Sequence, residues 1–114
     1  MKEISTLDEW QEILEASGQH AVFLFKHSTT CPISASARDK VNEFLTRATE
    51  NGIPPFHLIR VIESRPISNK IEADLGVRHQ SPQLILLKEK KAVWSASHYG
   101  IQGDKIREAI QGLM

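Results

Sequence analysis

The chain has 114 residues with 14 basic and 14 acidic side chains, a formal charge of zero, and no Lys/Arg run longer than Lys90–Lys91, so it lacks the basic excess on which phosphate-neutralising nucleic-acid binders depend. Hydrophobic residues at 40% and charged residues at 25% exclude a wholly disordered chain and suffice for one core, so a single domain over residues 1–114 is expected. The longest apolar runs, Ala21–Phe25 and Leu84–Leu87, fall far short of the ~20 residues that span a bilayer; Met1-Lys2-Glu3-Ile4-Ser5 holds no signal-peptide core, and the one cysteine, Cys31, has no partner in the chain, which together point to a reducing, cytoplasmic setting.

Thr6-Leu7-Asp8-Glu9 fits a capping box, and Leu7, Trp10, Ile13 and Leu14 follow at helical spacing until Ser17-Gly18. Ala21–Lys26 is a short apolar run that reads as a strand buried on both faces. A polar loop, His27-Ser28-Thr29-Thr30, leads to Cys31-Pro32, where proline suits the first helical turn. Ala37, Val41, Phe44, Leu45 and Ala48 trace one face of that helix, which Asn51-Gly52 and Pro54-Pro55 close. Phe56–Ile62 reads as a second strand, Ile67–Leu75 as a short helix ended by Gly76, and Gln83–Lys88 and Ala92–Ala96 as a hairpin around Glu89-Lys90-Lys91. Gly103-Asp104 opens a last helix with Ile106, Ile110 and Leu113 inward. The order α-β-α-β-α-β-β-α, with a right-handed crossover between the first two strands, predicts an α/β fold: a central four-stranded mixed sheet flanked by helices, one of them N-terminal.

Cys31 carries the chemistry. It lies where a buried strand has ended and a helix begins, and there free backbone N–H groups and the helix dipole favour an anion. A thiolate is such an anion and is the nucleophile of disulfide exchange. Its neighbours Ser28, Thr29, Thr30 and Ser34 are polar, unlike the apolar surroundings of a structural cysteine. Ser34, three residues on, either donates a hydrogen bond to the sulfur or serves as an ordinary first-turn hydroxyl. Pro82 stands at the start of a strand, where a residue without an N–H is tolerated; on composition alone the Ser81–Pro82 bond is expected to be trans. His20, His27, His57, His79 and His98 show no spacing for a closed zinc site, so no metal is expected. His27 reads as a surface histidine near Cys31, His79 as a possible liner of a groove near Pro82, and Lys26 and Arg78 as solvated charges. Trp10, Trp94, Phe23, Phe25, Phe44 and Phe56 fall on core patterns.

A strand, a loop and Cys31-Pro32-Ile33-Ser34 opening a helix resemble a thioredoxin-fold active site with Ser34 in place of the second cysteine. Gly76-Val77-Arg78 and Ser81-Pro82-Gln83-Leu84-Ile85-Leu86-Leu87 resemble the thioredoxin segment that carries a cis-proline. Thr29-Thr30-Cys31-Pro32-Ile33-Ser34, in a chain of this length, resembles the monothiol bacilliredoxins of YtxJ type. That resemblance implies a thioredoxin-like fold and a single-cysteine oxidoreductase that removes bacillithiol from protein mixed disulfides through Cys31. It further implies that Thr30, Pro32, Ser34, Ser81 and Pro82 bind or support the substrate, with a cis Ser81–Pro82 bond beside Cys31. No bound cofactor is implied; bacillithiol is the co-substrate, bacillithiolated client proteins and a low-molecular-weight thiol are the partners, and the protein acts as a monomer. Thr30 replaces the tryptophan that precedes the cysteine in thioredoxin, and Trp94–Gly100 lacks the Gly-Gly pair that glutaredoxins use near glutathione. Two other functions fit the same residues: an iron–sulfur carrier bridging two chains through Cys31, and a non-catalytic adaptor that binds clients along the Pro82 edge.

Overall fold

The computed structural model describes residues 1–48 and 52–113. In chain order the elements are β1 (Lys2–Glu3), α1 (Leu7–Ala16), β2 (Val22–His27), α2 (Pro32–Arg47), β3 (Phe56–Arg60), α3 (Arg65–Leu75), β4 (Gln83–Lys88), β5 (Lys91–Ser97), a 3-10 turn (His98–Gly100) and α4 (Gly103–Gln111). The sheet order is β1-β3-β2-β4-β5. β1 and β2 both run parallel to β3, whereas β4 is antiparallel to β2 and β5 to β4.

Side-chain alternation along β2 explains the layering. Phe23 and Phe25 face α2 and α4, in a core with Val41, Phe44, Phe56, Leu58, Leu84, Leu86 and Ile106. Val22 and Leu24 face α1 and α3, in a second core with Ile4, Trp10, Ile59, Ile67, Ile71, Ile85 and Leu87. With helices on both faces β2 buries every side chain and β4 all but Lys88, and for this reason both hold continuous apolar runs. The buried Trp10 indole N–H donates to the Asp74 carboxylate at 2.8 Å and joins α1 to α3.

The α1 capping box forms as the sequence implies: the Glu9 N–H donates to Thr6 Oγ1 at 3.1 Å and the Glu9 carboxylate accepts from the Thr6 N–H at 3.2 Å. Gly76 closes α3 at φ 67°, a left-handed conformation that glycine adopts without penalty. The sheet has five strands rather than the four expected. The added one, β1, is two polar residues long, too short for any alternation to show in sequence. It is held from outside: the Ile4 N–H donates to the Leu58 carbonyl at 2.9 Å and Arg60 pairs with Glu3 at 2.7 Å. β3 ends at Arg60, short of Ile62, because the Ser64 N–H returns to the Arg60 carbonyl at 2.8 Å and α3 starts at once, with Pro66 in its first turn. α2 runs to Arg47 with Ala48 as its cap; the stop expected at Asn51 lies outside the described residues.

Candidate active site

β2 delivers the chain to one end of the sheet, and the 28–31 loop turns it into α2. The Cys31 N–H donates to the Ser28 carbonyl at 3.3 Å, and the Cys31 carbonyl accepts the first helical bond, from the Ala35 N–H at 3.0 Å. Cys31 is thus the N-cap of α2, extended at φ −106° and ψ 121°, with Pro32 following. Proline fits because a first-turn N–H has no partner inside the helix. The thiol is free and partly exposed at the positive end of a 16-residue helix.

Ser34 is fully buried beneath this loop. Its hydroxyl oxygen accepts the Ser28 N–H at 2.9 Å and lies 2.7 Å from His27 Nδ1. We assign the hydroxyl proton to His27, which requires Nδ1 to be an acceptor and the ring neutral. Burial first, and then the Arg38 charge, hold the His27 pKa below the usual histidine range, consistent with a neutral ring. Ser34 is therefore committed to the loop rather than to the sulfur, and among the described residues no side chain caps α2 through Cys31. The surface position expected for His27 is corrected: the residue is only 3% exposed, because alternation along β2 turns its ring under α2 beside Phe25. Thr30 is exposed and Thr30 Oγ1 lies 3.2 Å from Ser28 Oγ, while Thr29 donates to Glu63 at 3.2 Å.

The second wall comes from the segment before β4. Lys26 of β2 is in register with Gln83 of β4, so Pro82 emerges at the same end of the sheet as the Cys31 loop. Pro82 is buried, and the Ser81–Pro82 peptide bond is cis, as the resemblance implies and composition alone does not. The Pro82 carbonyl accepts the His98 N–H at 3.1 Å, which fixes the 3-10 turn beside it. The Ser81 hydroxyl oxygen is buried without a hydrogen-bond partner.

Beneath this wall lies a cluster that composition and spacing did not reveal. Lys26, expected to be solvated, is 0% exposed. Its ammonium donates to the Ser68 carbonyl at 3.1 Å and meets His79 Nδ1 at 3.2 Å, and the His79 N–H donates to the Glu72 carboxylate. Burial lowers the Lys26 pKa to about 8, against the opposing influence of Glu72. The available signal was position: Lys26 continues a strand whose preceding four residues, Val22–Phe25, are buried on both faces. Arg78 is exposed, as expected. Among the described residues no cluster of three or more His, Cys, Asp or Glu side chains is placed to hold a metal ion, and no helix is long and apolar enough to cross a membrane.

Comparison with known proteins supports both fold and chemistry. The family model for the monothiol bacilliredoxin BrxC matches residues 2–106. A solved structure described as a candidate oxidoreductase with a thioredoxin fold is 30% identical, with a TM-score of 0.82 over 95% of this chain and 91% of that one. Thioredoxin from Fasciola hepatica superposes with a TM-score of 0.75 at 17% identity, over 98% of each chain. Thioredoxin NaTrxh from Nicotiana alata gives 0.73 at 20% identity, over 97% of this chain and 90% of its own. The two thioredoxins share the fold; the family match carries the likeness to a monothiol bacilliredoxin, and the 30% relative the likeness to an oxidoreductase of this fold.

Proposed function

The chain belongs to the monothiol bacilliredoxin family and has the thioredoxin fold; from that premise we propose that it removes bacillithiol from protein mixed disulfides through Cys31, in the cytoplasm and as a monomer. The observation that carries this reading is the site's one sulfur. Cys31 is free and accessible at a helix N-terminus, and position 34, where a second thiol would resolve it, holds a hydroxyl turned into the loop.

The Cys31 thiolate attacks the bacillithiol sulfur of the mixed disulfide. A new S–S bond forms, the old one breaks, and the client sulfur leaves with the electron pair, taking a proton from water. Exchange of this kind depends on the attacking thiolate, on the leaving thiol and on access to the sulfur. Cys31 then carries bacillithiol. A second thiolate, from a low-molecular-weight thiol, attacks the bacillithiol sulfur and restores Cys31. Bacillithiol is a co-substrate here, so the reaction asks for no bound cofactor. Residues 78–82 supply a wall along which an extended client strand lies, pairing with its backbone as a strand does at a sheet edge. Thr30 and Pro32, both exposed, flank Cys31 in the chain.

Intact mass after mixing with a bacillithiolated client tests the reading. A gain of one bacillithiol on the protein, absent in Cys31→Ala, is the expected result. No gain, with the client still modified, would overturn it.

A further inference from the structure

Lys26 is a costly residue in the place where it stands. A lysine with no exposed surface gives up its hydration and must be repaid by partners. A methionine would occupy the same strand position with no such penalty, and replacement of buried charges by apolar groups of similar volume is often neutral or stabilising. What the ammonium reaches is therefore informative. It joins β2, the strand that leads to Cys31, to Ser68 of α3 and to the His79 ring, whose Nδ1 is also 3.3 Å from the Ser68 hydroxyl. The His79 backbone N–H is held by Glu72. On either side of it, Gln83, itself buried, donates to the Arg78 carbonyl at 3.0 Å and accepts from the Gln80 N–H at 3.4 Å. The segment that ends in Ser81-Pro82 is thus pinned from β2, α3 and β4 at once.

We propose that Lys26 is a positioning residue for the exchange reaction: acting through His79, it holds residues 78–82 as the wall against which an extended client lies beside Cys31. This role rests on the disulfide-exchange reading above. The clamp requires His79 to accept at Nδ1 and hence to be neutral; protonated, it would set two cations 3.2 Å apart. Burial, the Lys26 charge and Arg65 all lower the His79 pKa, with Glu72 opposing them. The groups that face one another here are Lys26 from β2, His79 from the wall, and Glu72 and Arg65 from α3. Above pH 8 Lys26 becomes an amine, the clamp loses its charge, and client binding weakens. Glu72→Gln keeps an acceptor for the His79 N–H but removes the carboxylate that sustains the Lys26 charge, so it moves that alkaline limb to lower pH.

The test uses the full chain and, as substrate, an extended peptide whose cysteine carries bacillithiol, with alkylation of Cys31 by iodoacetamide to report the thiol without the wall. Lys26→Met and Glu72→Ala are expected to raise KM for the peptide on the order of ten-fold with little change in kcat, since loss of positioning acts on the bound substrate. Glu72→Gln is expected to show the shifted alkaline limb and, at pH values below that limb, a lower KM than Glu72→Ala. A Lys26→Met protein with the wild-type KM and limb would overturn the proposal. If that variant does not fold, the Glu72 pair decides: equal KM values for Glu72→Ala and Glu72→Gln overturn it. A wild type that is alkylated at Cys31 but exchanges with no mixed disulfide would overturn the exchange reading itself, and this role with it.

Discussion

At the scale of single residues, the site separates Cys31, which faces solvent, from Ser34, which does not. The hydroxyl at position 34 satisfies the Ser28 N–H and His27 Nδ1 in a region where water does not reach. Ser34→Ala leaves both groups buried without partners, at a cost of roughly 1–3 kcal/mol. The expected outcome is a lower urea midpoint at unchanged m-value. An unchanged midpoint would show that the loop finds other partners. Cys31 and Pro32 were legible in sequence because a strand, a polar loop and a proline at a helix start are local features. The partner of Ser34 was not legible, since His27 lies seven residues away and only the packing of α2 on the sheet brings the two together.

At the scale of elements, most boundaries follow from side-chain periodicity, and the exceptions have local causes. β1 owes its existence to β3, as its two polar residues carry no pattern of their own. The β4–β5 hairpin turns through Glu89 at φ 52° and Lys90 at φ 64°. Left-handed conformations at two consecutive non-glycine residues are unfavourable, by about 1–2 kcal/mol for each residue with a Cβ, and Asn-Gly is the preferred pair for such a turn. The turn persists because α1 anchors it: the Glu89 N–H donates to the Ser17 carbonyl at 2.7 Å and the Lys90 N–H to the Ser17 hydroxyl at 3.0 Å. Both are backbone donors, so Glu89→Asn with Lys90→Gly keeps them. The pair loses only the exposed ion pair between Lys90 and Glu15, which is worth little. The double variant is expected to gain on the order of 1 kcal/mol, seen as a higher urea midpoint; a lower midpoint would refute the turn argument.

At the scale of the whole molecule, buried titratable groups set the pH range of stability. Burial is the foremost cause lowering the pKa of His27, His57 and His79. Each is neutral in the fold, whereas the unfolded chain takes up protons near pH 6.5. Their contribution is fully present above that value and is lost as pH falls towards each folded pKa. Lys26 acts at the other end. Its folded pKa is about 8 against 10.5 for the free side chain, so between those values the unfolded state holds more protons and stability rises with pH. Urea midpoints are expected to fall from pH 7 to 5 and to climb from pH 8 to 10, with Lys26→Met abolishing the climb. A flat alkaline profile in the wild type would contradict the buried charge.

The same residue marks the division between what sequence and tertiary structure contribute. Periodicity, caps and turn residues determined the elements, because each depends on neighbours within a few positions, and they determined that β2 would be buried on both faces. The motif Cys31-Pro32-Ile33-Ser34, with Ser81-Pro82 before a strand, was enough to indicate the family and its single cysteine. Only the assembled fold decided which polar groups lie inside it. Lys26 meets His79 across 53 positions of chain and Ser68 across 42, and a lysine has the same composition whether it is solvated or enclosed. Its state depends on which surfaces close over it, and here α3 and the segment before Pro82 cover the strand and leave the ammonium no water to return to.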